Sequence, residues 1–321
     1  MKVLIMCTSP LQILIAEKII SKNNFSEFDL IYVAISDIEK QKYYFDRLAS
    51  KANKSYFHTF NSNNNVDHIF NIIEFKKNFS LKFTNDYDSC YLASIDSIHF
   101  GYILSKNNNS KIYTFDDGLA NIIKSSIYYS YKGPKIWKRF FLRIFGIKIF
   151  KQDILKKTSM HYTLYKGESN IIDNTCYLEI FNFNIKLLPI ENGKKIKIFL
   201  GQPLYNINNE FTDDYIFSIL EKLKINIYFP HPKENEVLFK DFNIIKTNLV
   251  FEDYLIGMLE ENVYENIEVY SFFSGALINV KDFPRVNVKY VYNKILYKSY
   301  EDFYVFASEK LNIENINLDS M

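Results

Sequence analysis

Short, continuous apolar runs separated by helical patterns constrain this chain more than any other feature. KVLIM (2–6), LIYVAIS (30–36), CYLAS (90–94) and KIYTF (111–115) recur through the first half. KIKIFL (195–200), INIYF (225–229), EVYSFF (268–273) and VNVKYVY (286–292) follow in the second. A strand with one wet face alternates apolar and polar residues, whereas a strand covered on both faces does not. Unbroken runs with helices between them therefore predict an α/β fold of parallel sheets, doubly wound, with helices on both faces.

The runs fall into two sets. Leu188-Pro189-Ile190-Glu191-Asn192-Gly193 ends in turn chemistry and reads as a linker. It separates a first domain, 1–188, from a second, 194–300. The aromatic helical C-terminus, 301–321, is expected to pack back toward the first domain. A chain of 321 residues is long enough for two such units.

Charge and cysteine usage exclude several function classes. A net charge of +2 gives no footprint for nucleic acid. Cys7, Cys90 and Cys176 are far apart and lack metal spacing, so neither a disulfide framework nor a zinc site is expected. A reducing cytoplasm fits that usage. The apolar N-terminal run is broken by Thr8-Ser9-Pro10, which predicts a first strand and a helix from about Pro10 rather than a signal peptide. No run reaches the roughly 18 apolar residues of a membrane span.

Residues 132–157 stand apart. They hold nine Lys or Arg against one acid, Asp153, a net +8 that leaves −6 on the rest of the chain. Ile136, Trp137, Phe140, Phe141, Ile144 and Phe145 fall on one side of a helix, with Lys138, Arg139 and Arg143 elsewhere around it. That pattern fits a helix lying on an anionic membrane surface. A helix packed on the body with a solvated basic face has the same composition.

Chemistry-bearing residues gather where strands end. Phe115-Asp116-Asp117-Gly118 closes KIYTF: the paired carboxylates either turn the chain and cap the next helix or hold a base over a reacting hydroxyl. Pro230-His231-Pro232-Lys233 follows INIYF. Its prolines fix φ and remove donors, so His231 is kept out of a helix and can face a phosphate, with Lys233 beside it. Taken alone, the same four residues are a proline turn. Ser274-Gly275 follows EVYSFF and can bind phosphate at a helix N-terminus or simply cap it. Glu252 can accept from ribose hydroxyls or serve as first-turn helix charge. Gly201, after KIKIFL, permits close backbone approach. In parallel sheets ligands bind at these carboxyl ends, so Gly201, His231, Pro232, Lys233, Glu252, Ser274 and Gly275 together outline a nucleotide-phosphate site.

These motifs, in this order, resemble the bacterial sialyltransferases of glycosyltransferase family 52. The matching stretches are YLAS (91–94), TFDDG (114–118), NIIKSS (121–126), HYTLYKG (161–167), PHP (230–232), EDY (252–254), YSFFSGA (270–276) and KDFP (281–284). They span most of the chain from about residue 90 to 295.

The resemblance implies a GT-B fold, two Rossmann-like parallel-sheet domains facing a central cleft. It implies CMP-sialic acid as donor, inversion at the anomeric carbon, and no cofactor or metal. The implied acceptor is a terminal galactose, in α2,3 linkage, on a lipooligosaccharide or capsular glycan, and a homodimer is compatible with the family. Related sialyltransferase families share the acidic-Asp-Gly and His-Pro motifs. By that analogy Asp116 is the base, with Asp117 the alternate, and His231 as imidazolium donates to the departing phosphate. The family's own base is placed in the loop after the first strand of the second domain, where this chain has Leu204. His161 contacts the acceptor or is a satisfied internal histidine.

With the basic segment, the expected location is the cytoplasmic face of the inner membrane, with a lipid-linked acceptor. Two rivals stand. One is a GT-B glycosyltransferase with another sugar nucleotide. The other is a non-catalytic glycan- or nucleotide-binding protein of a surface-polysaccharide pathway, which the departure at Leu204 favours and the retained Asp-Asp-Gly and His-Pro pair disfavours.

Overall fold

The computed structural model describes the chain except residues 36–37, 61–64, 84–85, 131–132, 181–189, 191–192 and 235–241, and the backbone alone at 65, 66, 68 and 206. Two compact units emerge, Met1–Ile180 and Phe181–Met321. Most of the proposed linker lies outside the described residues.

The first unit begins β1 (Val3–Cys7), α1 (Pro10–Asn23), β2 (Asp29–Ala34), α2 (Ile38–Ala49), β3 (Lys54–Thr59) and α3 (Asn65–Lys82). It continues β4 (Ser89–Leu92), α4 (Ile98–Lys106), β5 (Lys111–Phe115), α5 (Ile127–Ser130), α6 (Ile136–Ile144), α7 (Lys151–Lys157), β6 (Thr158–Thr163) and β7 (Thr175–Tyr177). Its strands form one parallel sheet in the order β3-β2-β1-β4-β5-β6-β7. Every residue of β1 and β4 is buried, as their unbroken apolar runs require. Ser9 caps α1 by accepting the Gln12 N–H, and Pro10 supplies the first-turn φ; together they start the helix there and bring Gln12 to the sheet's carboxyl end.

The second unit comprises β8 (Lys194–Leu200), α8 (Asp213–Leu223), β9 (Ile227–Phe229), β10 (Asn243–Ile244), α9 (Phe251–Glu260), β11 (Tyr264–Ser271), α10 (Gly275–Val280), β12 (Val286–Tyr292), α11 (Lys294–Ser299), α12 (Glu301–Leu311) and β13 (Glu314–Asn317). Its sheet, also parallel, runs β10-β9-β8-β11-β12-β13. In both sheets the strand order reverses beside the first strand, between β1 and β4 and between β8 and β11. Such a reversal opens a crevice at the carboxyl ends.

Residues 301–321 belong to the second unit: β13 pairs with β12, and the Tyr304 hydroxyl of α12 donates to the Val291 carbonyl. Fully buried Tyr290 and Tyr304 need that cover.

The basic segment divides. α7 packs inward, with Ile154 and Lys151 buried and the Lys151 ammonium donating to the Tyr128 carbonyl. α6 buries Leu142 alone. Ile136, Trp137, Phe140, Phe141 and Ile144 are 86%, 67%, 69%, 41% and 70% exposed, so the large apolar face points away from the protein. Among the described residues no helix is long and apolar enough to cross a membrane.

Candidate active site

The two aspartates after β5 do different work because successive residues of an extended chain point to opposite sides. Asp116 turns inward and is fully buried. Its Oδ1 accepts from His161 Nε2 at 2.8 Å and Asn170 Nδ2 at 3.4 Å. Its Oδ2 accepts from the Thr163 hydroxyl at 2.8 Å and the Leu164 N–H at 2.7 Å. These donors come from β6 and the chain just after it, so Asp116 fastens β5 to β6. His161 is equally buried, its Nδ1 bonded to the Thr114 hydroxyl at 2.8 Å. The expectation of Asp116 as base is therefore corrected: its oxygens are consumed internally and no acceptor hydroxyl reaches them. Of the two readings of His161, the satisfied internal histidine is the one its two bonds and full burial match.

Asp117 faces the crevice side and is partly exposed. Gln12 Nε2 donates to its Oδ1 at 2.7 Å. The Tyr128 hydroxyl (2.6 Å) and the Ser94 hydroxyl (3.2 Å) donate to its Oδ2. Gln12 is itself held by the Thr8 N–H donating to its Oε1 at 2.6 Å. The loops after β1, β4 and β5 thus converge on one carboxylate at the strand-order reversal. Burial, then the Asp117 charge, pushes the Tyr128 phenol far above its ordinary range, so it remains a donor. Gly118, at φ +59°, makes the left-handed turn that lets the chain leave the strand end.

In the second unit, Leu204 is 2% exposed and belongs to the core, which excludes a working carboxylate at that position. The one acid between the end of β8 and the cap of α8 is Glu210, which is exposed. Gln202 bridges the strand-order reversal by accepting the Phe273 N–H at 2.7 Å. His231 follows β9, and the Lys233 N–H donates to its Nδ1 at 3.0 Å. That bond assigns the ring proton to Nε2, because a protonated Nδ1 would set two donors face to face. Nδ1 is thus engaged by the turn, and Nε2 is the nitrogen through which the ring can donate to a phosphate. Lys233 and Pro232 are exposed beside it.

Ser274 is the N-cap of α10, its hydroxyl accepting the Ala276 N–H at 3.3 Å, and Gly275 opens that helix. Glu252 lies in the first turn of α9, buried, accepting from Asn279 Nδ2 at 2.7 Å. That is the first-turn helix position expected of it. The space over Gly201, expected to admit a ligand, is occupied by Glu234 and Tyr228.

The family model of glycosyltransferase family 52 matches residues 27–295. The chain belongs to glycosyltransferase family 52. It is 31% identical to the CMP-N-acetylneuraminate:beta-galactoside alpha-2,3-sialyltransferase of Pasteurella multocida (strain Pm70), over 86% of each chain. It is 31% identical to the N-acetyllactosaminide alpha-2,3-sialyltransferase of Neisseria meningitidis serogroup A (strain Z2491), over 89% of this chain and 77% of that one. The Haemophilus influenzae enzyme of the same name is 29% identical, over 91% and 92%.

Likeness among solved structures concerns the fold alone. The spinosyn rhamnosyltransferase SpnG complexed with thymidine diphosphate matches with a TM-score of 0.56 at 8% identity, over 99% of this chain and 86% of that one. The glycotransferase of kitacinnamycin matches at 0.52 and 10%, over 100% and 87%. Two doubly wound parallel-sheet units make this family 52 glycosyltransferase a GT-B protein, as expected. Sequence reasoning missed Gln12, Tyr128, Gln202, Tyr228 and Glu234. Gln12 had one usable signal, its place one turn after Ser9-Pro10 at the end of the first strand.

Proposed function

We propose that this glycosyltransferase is an inverting sialyltransferase. It moves sialic acid from CMP-sialic acid to a terminal galactose of a bacterial surface glycan, in α2,3 linkage. The observation that carries the reading is His231, fixed at a strand end with its Nδ1 accepting the Lys233 N–H, in a chain 31% identical to named α2,3-sialyltransferases. A phosphate monoester has a second pKa near 6, so the departing CMP needs its charge stabilised more than it needs a proton. A neutral Nε2–H donor supplies that stabilisation, with the Ser274 hydroxyl contributing. Asp117, held by Gln12, Ser94 and Tyr128, takes the proton from the attacking galactose hydroxyl. No metal is assigned to the step.

Donor identity is tested by displacement. CMP should displace a bound fluorescent cytidine nucleotide at far lower concentration than UDP or GDP. Preference for UDP or GDP would replace sialic acid with another sugar nucleotide in the same fold.

The location proposed is the cytoplasmic face of the inner membrane, with a lipid-linked acceptor. It rests on α6, which exposes five large apolar side chains beside Lys135, Lys138 and Arg143. Cations near an anionic bilayer contribute about 1 kcal/mol each, and the apolar face adds its burial. The protein is expected to float with phosphatidylglycerol vesicles at low salt, to float less at high salt, and to stay down with phosphatidylcholine alone. Phe140→Glu with Ile144→Glu should abolish flotation. Absence of flotation at low salt would contradict the location, and a dimer lost in the same variant would assign this face to a second copy.

A further inference from the structure

The turn after β9 holds a carboxylate that the chemistry above leaves unused. Glu234 Oε2 accepts the His231 N–H at 2.6 Å, and its Oε1 accepts the Tyr228 hydroxyl at 2.7 Å. The Glu234 N–H in turn donates to the His231 carbonyl at 2.9 Å. Tyr228 rises from the middle of β9, 1% exposed and stacked on Phe199 of β8. Both groups lie against Gly201 at the end of β8. A Cβ there would overlap both Glu234 Oε2 and the Tyr228 hydroxyl. Gly201 is thus a glycine because the protein's own side chains occupy that space. Burial pushes the Glu234 carboxyl above its usual range, opposed by its bonds from the His231 N–H, the Tyr228 hydroxyl and the Gln202 backbone.

We propose that Glu234 is the positioning residue of His231, fixing its main chain against β8 and β9 so that Nε2 meets the leaving phosphate. This rests on the reading of His231 as the donor to that phosphate. Pro230 and Pro232 lack N–H groups, so within Pro230-His231-Pro232 the His231 N–H is the one main-chain donor by which the turn can be held. A carboxylate acceptor makes that bond charge-assisted, hence short and directional. The Lys233 N–H then sets the ring through Nδ1. Main chain and imidazole are thereby fixed within four residues, and the anchor reaches back to the first strand of the unit.

The test is a double-mutant cycle read as kcat for CMP release. Glu234→Ala should lower kcat about 10- to 100-fold, the scale on which a misplaced group loses rate, with donor KM little changed. Added to His231→Ala, it should do nothing further. Glu234→Gln, which still offers an oxygen to the His231 N–H, should recover most of the rate. Gly201→Ala should imitate Glu234→Ala by expelling the carboxylate. Should Glu234→Ala fail to fold, Glu234→Asp withdraws the carboxylate by one methylene and carries the same cycle. Folded Glu234→Ala or Glu234→Asp with unchanged kcat, or losses that multiply with those of His231→Ala, overturns the assignment. His231→Ala measured alone separately reads the donor role on which it rests.

Discussion

His231→Ala is expected to lower kcat by about 100- to 1000-fold while leaving the KM for CMP-sialic acid close to its starting value. Charge gathers on the phosphate bridging oxygen only as the glycosidic bond breaks, so a donor aimed there acts on the transition state and scarcely on the ground state. The Lys233 N–H holds Nδ1, so Nε2 is the nitrogen that the substitution removes from the site. Single-turnover release of CMP is the appropriate measurement, because it separates chemistry from product dissociation. A variant whose KM rises while kcat stays would make His231 a binding residue and return the PHP stretch to a proline turn.

The second large effect separates the paired aspartates. Asp117→Asn should cost about 10²–10⁴ in kcat, the usual worth of a positioned base, with little change in thermal midpoint. With its oxygen toward Gln12, its NH2 meets the Ser94 and Tyr128 hydroxyls, which can turn to accept, so the amide fits but no longer accepts a proton. Asp116→Asn should do the reverse. An amide there turns an NH2 group toward one of the donors that now meet a carboxylate oxygen, and a mismatched buried pair costs about 1–3 kcal/mol. That loss appears in the melting curve, while enzyme that stays folded at low temperature keeps its kcat. Should Glu210→Gln abolish turnover while Asp117→Asn does not, the base lies in the loop after β8 instead.

How far the sequence could be read follows from burial. Strands covered on both faces were plain as apolar runs, and β1, β2, β4, β5, β8, β9, β11 and β12 all lie where such runs occur. β3, β7, β10 and β13 sit at sheet edges, where exposed or half-exposed polar residues such as Lys54, Ser55, Thr175 and Asn243 dilute the signal. β6 carries Thr158, His161 and Thr163, polar residues that become comprehensible only once Asp116 is seen to receive two of their side chains.

The same continuity hid the choice between aspartates. KIYTF is apolar on both faces apart from Lys111 and Thr114, so its sequence does not mark which neighbour of the strand end turns inward. Glu234 was invisible for another reason. It is part of PHPKE in sequence, yet its work is defined by Gly201, which lies 33 positions earlier and meets it only after β8 and β9 pair. The α6 face was legible because amphipathic spacing needs no tertiary partner to be seen.

The central claim is tested most directly by CMP release from CMP-sialic acid with and without lactose, at neutral pH with EDTA present. Release stimulated by lactose, and yielding sialyllactose in α2,3 linkage, is the predicted result. Failure to bind CMP at all, in protein that is folded, would contradict the donor site built around His231 and with it the sialyltransferase reading.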